Sequence, residues 1–295
     1  MGCLGLGFAC LGLFWLVGLA LLNQHHDTMA FRKACDMIGA IAGDVIGSVF
    51  EQANIKHKDF PLFCKQSRVT DDTVMSLALA DTLLHGRDIA ENFRRFYRWY
   101  PRAGYGTLFK HWASTPNAPA YHSFGNGSAM RVAGCAYANE SRETVLACAR
   151  ASAAVTHNHP EGIKGAEAIA LGVFLAREGR AKAEILAEVQ AHTGYELGFT
   201  LDSIRASYSF DATCQGSVPQ ALVAFREGQD FEDVIRCAVS IGGDSDTIAC
   251  MAGAIAGAHY GVPQAIALEV QGRLDERLSG VLALFENQFM PEARA

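Results

Sequence analysis

The chain has 295 residues, half of them apolar, enough to bury one large core, and it contains no Pro-, Gly- or Ser-rich linker long enough to separate two folding units. With 25 basic against 31 acidic residues, a net charge of −6 excludes a nucleic-acid binder that works through phosphate attraction alone. Nine cysteines without a Cys-x-x-Cys pair exclude a zinc ribbon and fit the reduced thiols of a cytoplasmic protein better than a disulfide framework.

The first 22 residues carry no charge and run through Leu11, Phe14, Trp15, Leu16, Val17 and Leu19, long enough to cross a bilayer as one helix. They lack the basic start of a secretory signal, and Leu6 breaks the myristoylation pattern that Met1-Gly2 would open. Two readings of residues 1–28 follow. They are a hydrophobic anchor, with Arg32, Lys33, Lys56 and Lys58 placing the rest on the cytoplasmic side, or translation starts at Met29 and they are not part of the protein. Either way residues 29–295 read as a single all-α domain, and any membrane contact runs through residues 1–22.

From residue 34 onward one helical stripe follows another. Residues 72–84 place Val74, Leu77, Ala78 and Leu84 on a 3.6-residue repeat that stops at Gly86. Residues 163–176, 181–189, 219–225 and 231–239 repeat the pattern; Ser217 reads as a cap ahead of Pro219, and Asp230 as a cap with Asp233 in the capping-box place. Alternating strand patterns are almost absent. The spacing therefore predicts a compact, multi-helix, all-α bundle with long loops near residues 52–69 and 101–127.

The string Gly-Ala-Ile-Ala-Gly occurs at residues 39–43 and again at 253–257, each followed by a further glycine, Gly47 and Gly261. A glycine inside a helix costs about 1 kcal/mol against alanine, so three on one face imply helices packed nearly backbone to backbone. Beside these helices lie two acidic clusters, Thr70-Asp71-Asp72-Thr73 and Asp244-Ser245-Asp246-Thr247. Thr70 can simply cap a helix whose positive end favours Asp71 and Asp72. Gly242 and Gly243, however, let the backbone turn sharply, and two such clusters together with Glu51 read as halves of a metal site. Every proposed ligand is an oxygen, which calls for a hard cation, magnesium, manganese or calcium, rather than zinc. Five carboxylates exceed the needs of one ion and suit two, roughly 3.5 to 4 Å apart, as in two-metal hydrolases.

The ordered set of motifs after Asp36 resembles the ADP-ribosylglycohydrolase family, which includes the dinitrogenase reductase activating glycohydrolases. It comprises residues 39–51 from Gly39 through Asp44 to Glu51, Thr70-Asp71-Asp72-Thr73, Gly125-Asn126-Gly127-Ser128-Ala129-Met130-Arg131, Thr156-His157-Asn158-His159-Pro160 and Ser240 to Thr247. The resemblance implies an all-α fold with two divalent cations, Mg2+ or Mn2+, and hydrolysis of the glycosidic bond between ADP-ribose and its acceptor. Thr70, Asp71, Asp72, Asp244, Asp246 and Thr247 match the metal-ligating positions. Glu51 matches an acidic position tied to the catalytic water or to gating, so Glu51, Asp71 and Asp72 are the acid/base candidates. Ser123, Phe124, Gly125, Asn126 and Gly127 match a loop lining the ADP-ribose cleft, and His157 a histidine that contacts substrate, with His159 less supported. Asp44 stays outside the site as a helper or a backbone cap.

The expected substrate is an ADP-ribosylated protein, arginine-linked first, with serine-linked or small O-acyl ADP-ribose as alternatives. A non-catalytic binder of ADP-ribose or of a toxin, immunity-like, is the reading from a different class; keeping all six metal positions speaks against it. Phosphate-loop, Gly-x-Ser-x-Gly and His-Glu-x-x-His motifs are missing, which removes the commoner hydrolase classes.

Overall fold

The computed structural model of the protein describes Gly2 and residues 37–290, and residues 37–290 belong to one compact unit. Helices α1 (Ile38–Gly47), α2 (Asp71–His85), α3 (Ile89–Trp99) and α4 (Thr107–Ser114) lead to a 3-10 turn, Asn126–Ser128. Then come α5 (Ala133–Tyr137), α6 (Arg142–Ala154), α7 (Pro160–Arg177), α8 (Lys182–Thr193), α9 (Leu201–Arg205) and α10 (Cys214–Glu227). The chain closes with α11 (Phe231–Val239), α12 (Ser245–Tyr260), α13 (Gln264–Gln271) and α14 (Glu276–Phe289). Among the described residues the fold is all-α, as the stripes predict, and extended pairing is confined to one antiparallel bridge, Gly125 with Thr213.

The two glycine-bearing helices form the centre. Every residue of α1 is buried, α12 is buried through Gly257, and they pack on one another more extensively than any other pair. A Cβ on Gly39 would lie 2.5 Å from the Gly253 carbonyl oxygen, one on Gly43 would run into the Ala249 carbonyl, and one on Gly47 would lie 2.5 Å from Asp246 Cα. The near-contact of backbones is therefore real, and its lower end lies beside an acidic residue of the candidate site. Gly261 does not join this seam; it ends α12 with φ at +75°.

Elsewhere the helix ends differ in instructive ways from the sequence reading. α10 starts at Cys214, three residues before Ser217, because the Thr213 side chain accepts from Gly216 N at 3.0 Å. Ser217 Oγ donates back to the Thr213 carbonyl at 2.6 Å, and Pro219 sits inside the helix, where it has no N–H to give to the Gln215 carbonyl. Asp230 caps α11 as expected, but Asp233 accepts from Gln229 N instead of closing the box on Asp230. The expected loop over residues 101–127 contains α4, which buries Phe109, Trp112 and Ala113 at helical spacing. A flank of Gly104, Gly106 and Pro116 around only eight residues hides it in sequence.

The six described cysteines are free thiols. The apolar stretch of residues 1–22 lies outside the described residues apart from Gly2, and among those described no helix is long and apolar enough to cross a membrane.

Gly43→Ala is expected to lower stability by about 1–3 kcal/mol despite the better helix former, because a backbone carbonyl must move to admit the methyl. Chemical denaturation checks this; a gain in stability would refute the close seam.

Candidate active site

Three helix ends meet at one point. Asp44 sits in the second half of α1, fully buried, and its carboxylate reaches across to the start of α2. It accepts from Thr70 N at 3.0 Å, Thr70 Oγ1 at 2.6 Å, Thr73 N at 3.1 Å and also Thr73 Oγ1. Thr70 in turn caps α2, its Oγ1 accepting from Asp72 N at 3.3 Å. The capping expected of this segment is therefore present, and it sets the start of α2 from which Asp71 and Asp72 reach the cavity.

The entry to α12 is built by the two glycines. Gly242 and Gly243 have φ of +67° and +77°, conformations that side chains resist. Asn54 locks the turn, accepting from Gly243 N at 2.8 Å and donating to its carbonyl at 2.9 Å. Asp244 and Asp246 emerge at the positive end of α12, which favours carboxylates. Asn126 Nδ2 donates to Asp244 at 2.8 Å, Thr247 N to Asp246 at 3.0 Å, and Thr247 Oγ1 to Asp72 Oδ2 at 3.3 Å across the two helices.

The result is a crowd of carboxylates. Asp44, Asp72 and Asp246 each offer an oxygen within 4.8 Å of the others, and Glu51, Asp244 and Asp246 form a second such group, so Asp246 belongs to both. Asp72 Oδ1 is buried with no hydrogen-bond partner, an acceptor left over for a cation. Burial pushes Asp72 and Asp246 well above the usual carboxylate range, reinforced by Asp44 and Asp71 for the first and by Asp72 and Asp244 for the second. Asp71, partly exposed at the cavity wall yet densely surrounded, is pushed up to about 8 by burial, then by Asp44, Asp244 and Glu51. Burial and the Asp244 charge raise Glu51. Such a set, all oxygen, fits hard divalent cations. Asp44, left aside in the sequence reading, belongs in the cluster, already satisfied by four donors.

Glu51, Asp71, Asp72, Asp244 and Asp246 line a cavity of about 350 Å³ together with Thr70 and Thr247, whereas Asp44 is not part of the lining. Ser123, Gly125, Asn126, Gly127 and His157 line it too. The loop is pinned by Asn126 N donating to the Ala212 carbonyl at 2.8 Å and Cys214 N to the Phe124 carbonyl at 2.9 Å. Phe124 does not line the cavity. It is 44% exposed, its ring against His159 at 5.3 Å, and His159 itself caps α7 by accepting from Glu161 N at 3.1 Å. Sequence reasoning missed much of the remaining lining, including Met75, Tyr105, Tyr121 and Phe210, with Arg68 and Arg131 its two basic side chains besides His157. Arg131 ends a quoted motif and was visible there; Phe210 lies in a segment with no motif.

Residues 31–291 match the ADP-ribosylglycohydrolase family along nearly the whole chain. The chain belongs to that family. It is 30% identical to the human protein named ADP-ribosylhydrolase ARH3, over 77% of this chain and 85% of that one. It is 28% identical to ADP-ribosylarginine hydrolase Tri1 of Pseudomonas putida, covering 84% and 75% of the two chains. The ADP-ribosyl-[dinitrogen reductase] glycohydrolase of Rhodospirillum rubrum is also 28% identical, with 80% and 87% covered. A solved structure titled ADP-ribosylglycohydrolase-related protein complex superposes with a TM-score of 0.65 at 29% identity, over 87% of this chain and 97% of its own. As a member of the family, the protein is a hydrolase of glycosidic bonds.

The raised carboxylates have a sign that can be tested. Acids with folded values above their ordinary 3.8 favour the folded state below that pH and lose the contribution as pH rises, for Asp71 toward about 8. With a chelator, the melting temperature is expected to fall between about pH 6 and about pH 8, and magnesium or manganese to restore it, more so at the higher pH. A melting temperature indifferent to both would contradict the crowding.

Proposed function

We propose that this hydrolase removes ADP-ribose from modified proteins by cleaving the bond to the acceptor side chain, arginine-linked substrates being favoured. The observation that carries the reading is the convergence of two carboxylate groups, sharing Asp246, at a cavity that is also lined by a glycine loop and His157. The acceptor preference is supported by the Pseudomonas relative, which is named an ADP-ribosylarginine hydrolase.

In this reading Thr70, Asp71, Asp72, Asp244, Asp246 and Thr247 hold two divalent cations, magnesium or manganese. When bound, such cations neutralise the carboxylates and supply Lewis-acid chemistry at the ribose. Asp44 keeps the Thr70–Thr73 turn in place through its four accepted hydrogen bonds. Ser123, Gly125, Asn126 and Gly127 present backbone and small polar groups to the diphosphate, where side chains beyond Cβ would not fit. Phe124 is assigned the outer edge of the nucleotide, since it stands at 44% exposure beside the loop rather than within the cavity. Glu51, half-buried and with a raised proton affinity, is assigned the proton of the attacking water in this reading, with Asp71 and Asp72 orienting that water. Residues 29–295 form the catalytic domain, and its free thiols suit the cytoplasm.

The test is release of free ADP-ribose from arginine-linked and serine-linked peptides and from O-acetyl-ADP-ribose, with magnesium, manganese or a chelator. Chelator-sensitive release from the arginine-linked peptide is expected; release confined to another acceptor would move the assignment there, and none from any would overturn the proposal. Asp246→Asn is expected to lower turnover by more than about 100-fold while the far-ultraviolet helical signal persists. Removing residues 1–28 is expected to leave turnover unchanged, and an inactive truncation would place that segment in the catalytic unit.

A further inference from the structure

Arg131 is fully buried, and among the described residues no carboxylate pairs with it. Its charge is held instead by neutral acceptors and by the Phe93 ring, 4.6 Å from the guanidinium carbon. Nη2 donates to the Ser152 carbonyl at 2.7 Å and to Thr156 Oγ1 at 2.9 Å, and Nε to Ser152 Oγ at 3.3 Å. A guanidinium can only donate, so the direction of the bond to Thr156 is fixed. The Thr156 hydroxyl then has one proton left to give. It is fully buried, and the acceptor within reach is His157 Nδ1 at 2.7 Å. The opposite assignment, with Nδ1 donating, would leave a buried hydroxyl proton without an acceptor.

We infer that Arg131 and Thr156 are positioning residues that hold His157 as a neutral imidazole with its proton on Nε2, aimed into the cleft as a donor for a phosphate oxygen of the substrate. The phosphate rests on the function proposed above; the proton placement does not. Nε2 has no partner among the described residues. It faces the glycine loop: a Cβ on Gly127 would lie 3.2 Å from it and one on Gly125 3.5 Å. The ring is held on its other sides by the edge of Tyr121, 5.6 Å between centroids, and by Gly162, whose Cβ would lie 3.0 Å from that of His157. Burial, and next the Arg131 charge, hold the imidazole well below its ordinary value, in keeping with a neutral ring. A neutral donor fixed in this way does not serve as the proton shuttle, which leaves that work to the carboxylate wall. It also supplies a hydrogen-bond donor toward an anion from beside the glycine loop.

The experiment is nitrogen NMR of the full chain labelled with 15N-histidine, with magnesium present, His157 being assigned by the resonance lost in His157→Gln. The two ring nitrogens of the wild type should report a neutral Nε2–H tautomer. An Nδ1–H tautomer or an imidazolium at neutral pH overturns the inference whatever the enzyme hydrolyses. In Thr156→Val, which keeps the shape and removes the hydroxyl, the tautomers should mix, and the dissociation constant for ADP-ribose should rise about tenfold. KM should rise more than kcat falls. Thr156→Ser should restore both the tautomer and the affinity. A Thr156→Val protein with the wild-type tautomer would show the relay to be idle. An intact tautomer in a protein that binds no ADP-ribose would overturn the function proposed above and the phosphate assignment with it.

Discussion

Buried negative charge at the junction of three helix ends is the constraint around which this molecule is built. Carboxylates from the end of α1, the turn after it, and the starts of α2 and α12 stand close enough to raise one another's proton affinity. Water cannot screen them there, so the protein tolerates the crowd only with opposing devices. Two are built in: the positive ends of α2 and α12 point at the cluster, and hydroxyl or amide donors from Thr70, Thr73, Asn126 and Thr247 occupy many of the oxygens. The orphaned Asp72 oxygen marks what these devices leave undone, and a hard cation is the natural remainder.

The glycine seam serves the same end. Asp246 and Asp44 belong to helices that could not approach so closely with side chains between them, and Gly47 lies under the Asp246 backbone itself. The stability of the core and the geometry of the site are therefore one problem: a methyl in the seam is felt at the carboxylates. The same holds around His157, where a Cβ on Gly125, Gly127 or Gly162 would lie within 3.5 Å of its side chain. The cavity thus joins a crowd of carboxylates to a glycine loop that carries donors. This polarity suits a substrate with hydroxyls at one end and a diphosphate at the other.

Much of this was legible in the sequence because it depends on local rules. The helical stripes, the stop at Gly86, the cap at Asp230 and the paired acidic strings follow from spacing and from the backbone preferences of a few residues. Where local rules compete, the reading went astray. Thr213 and Ser217 both can cap, and tertiary pairing of the 212–214 segment with the glycine loop decided for Thr213. α4 is too short to declare itself between glycines, and is held by the stacking of Tyr105 on Phe109 at 5.1 Å.

By itself the sequence determined the all-α class, the close approach of α1 and α12, and the two acidic strings that had to meet, because each is encoded in the residue types of one short segment. Tertiary structure alone decided that Asp44 joins the cluster, that Phe124 stands outside the cavity, and that Tyr105, Tyr121 and Phe210 complete it. It also brought Arg131 to the Thr156 hydroxyl that meets His157 Nδ1. Those outcomes depend on which side chain from a distant segment arrives with a free donor, acceptor or face, and no spacing along a single segment records that.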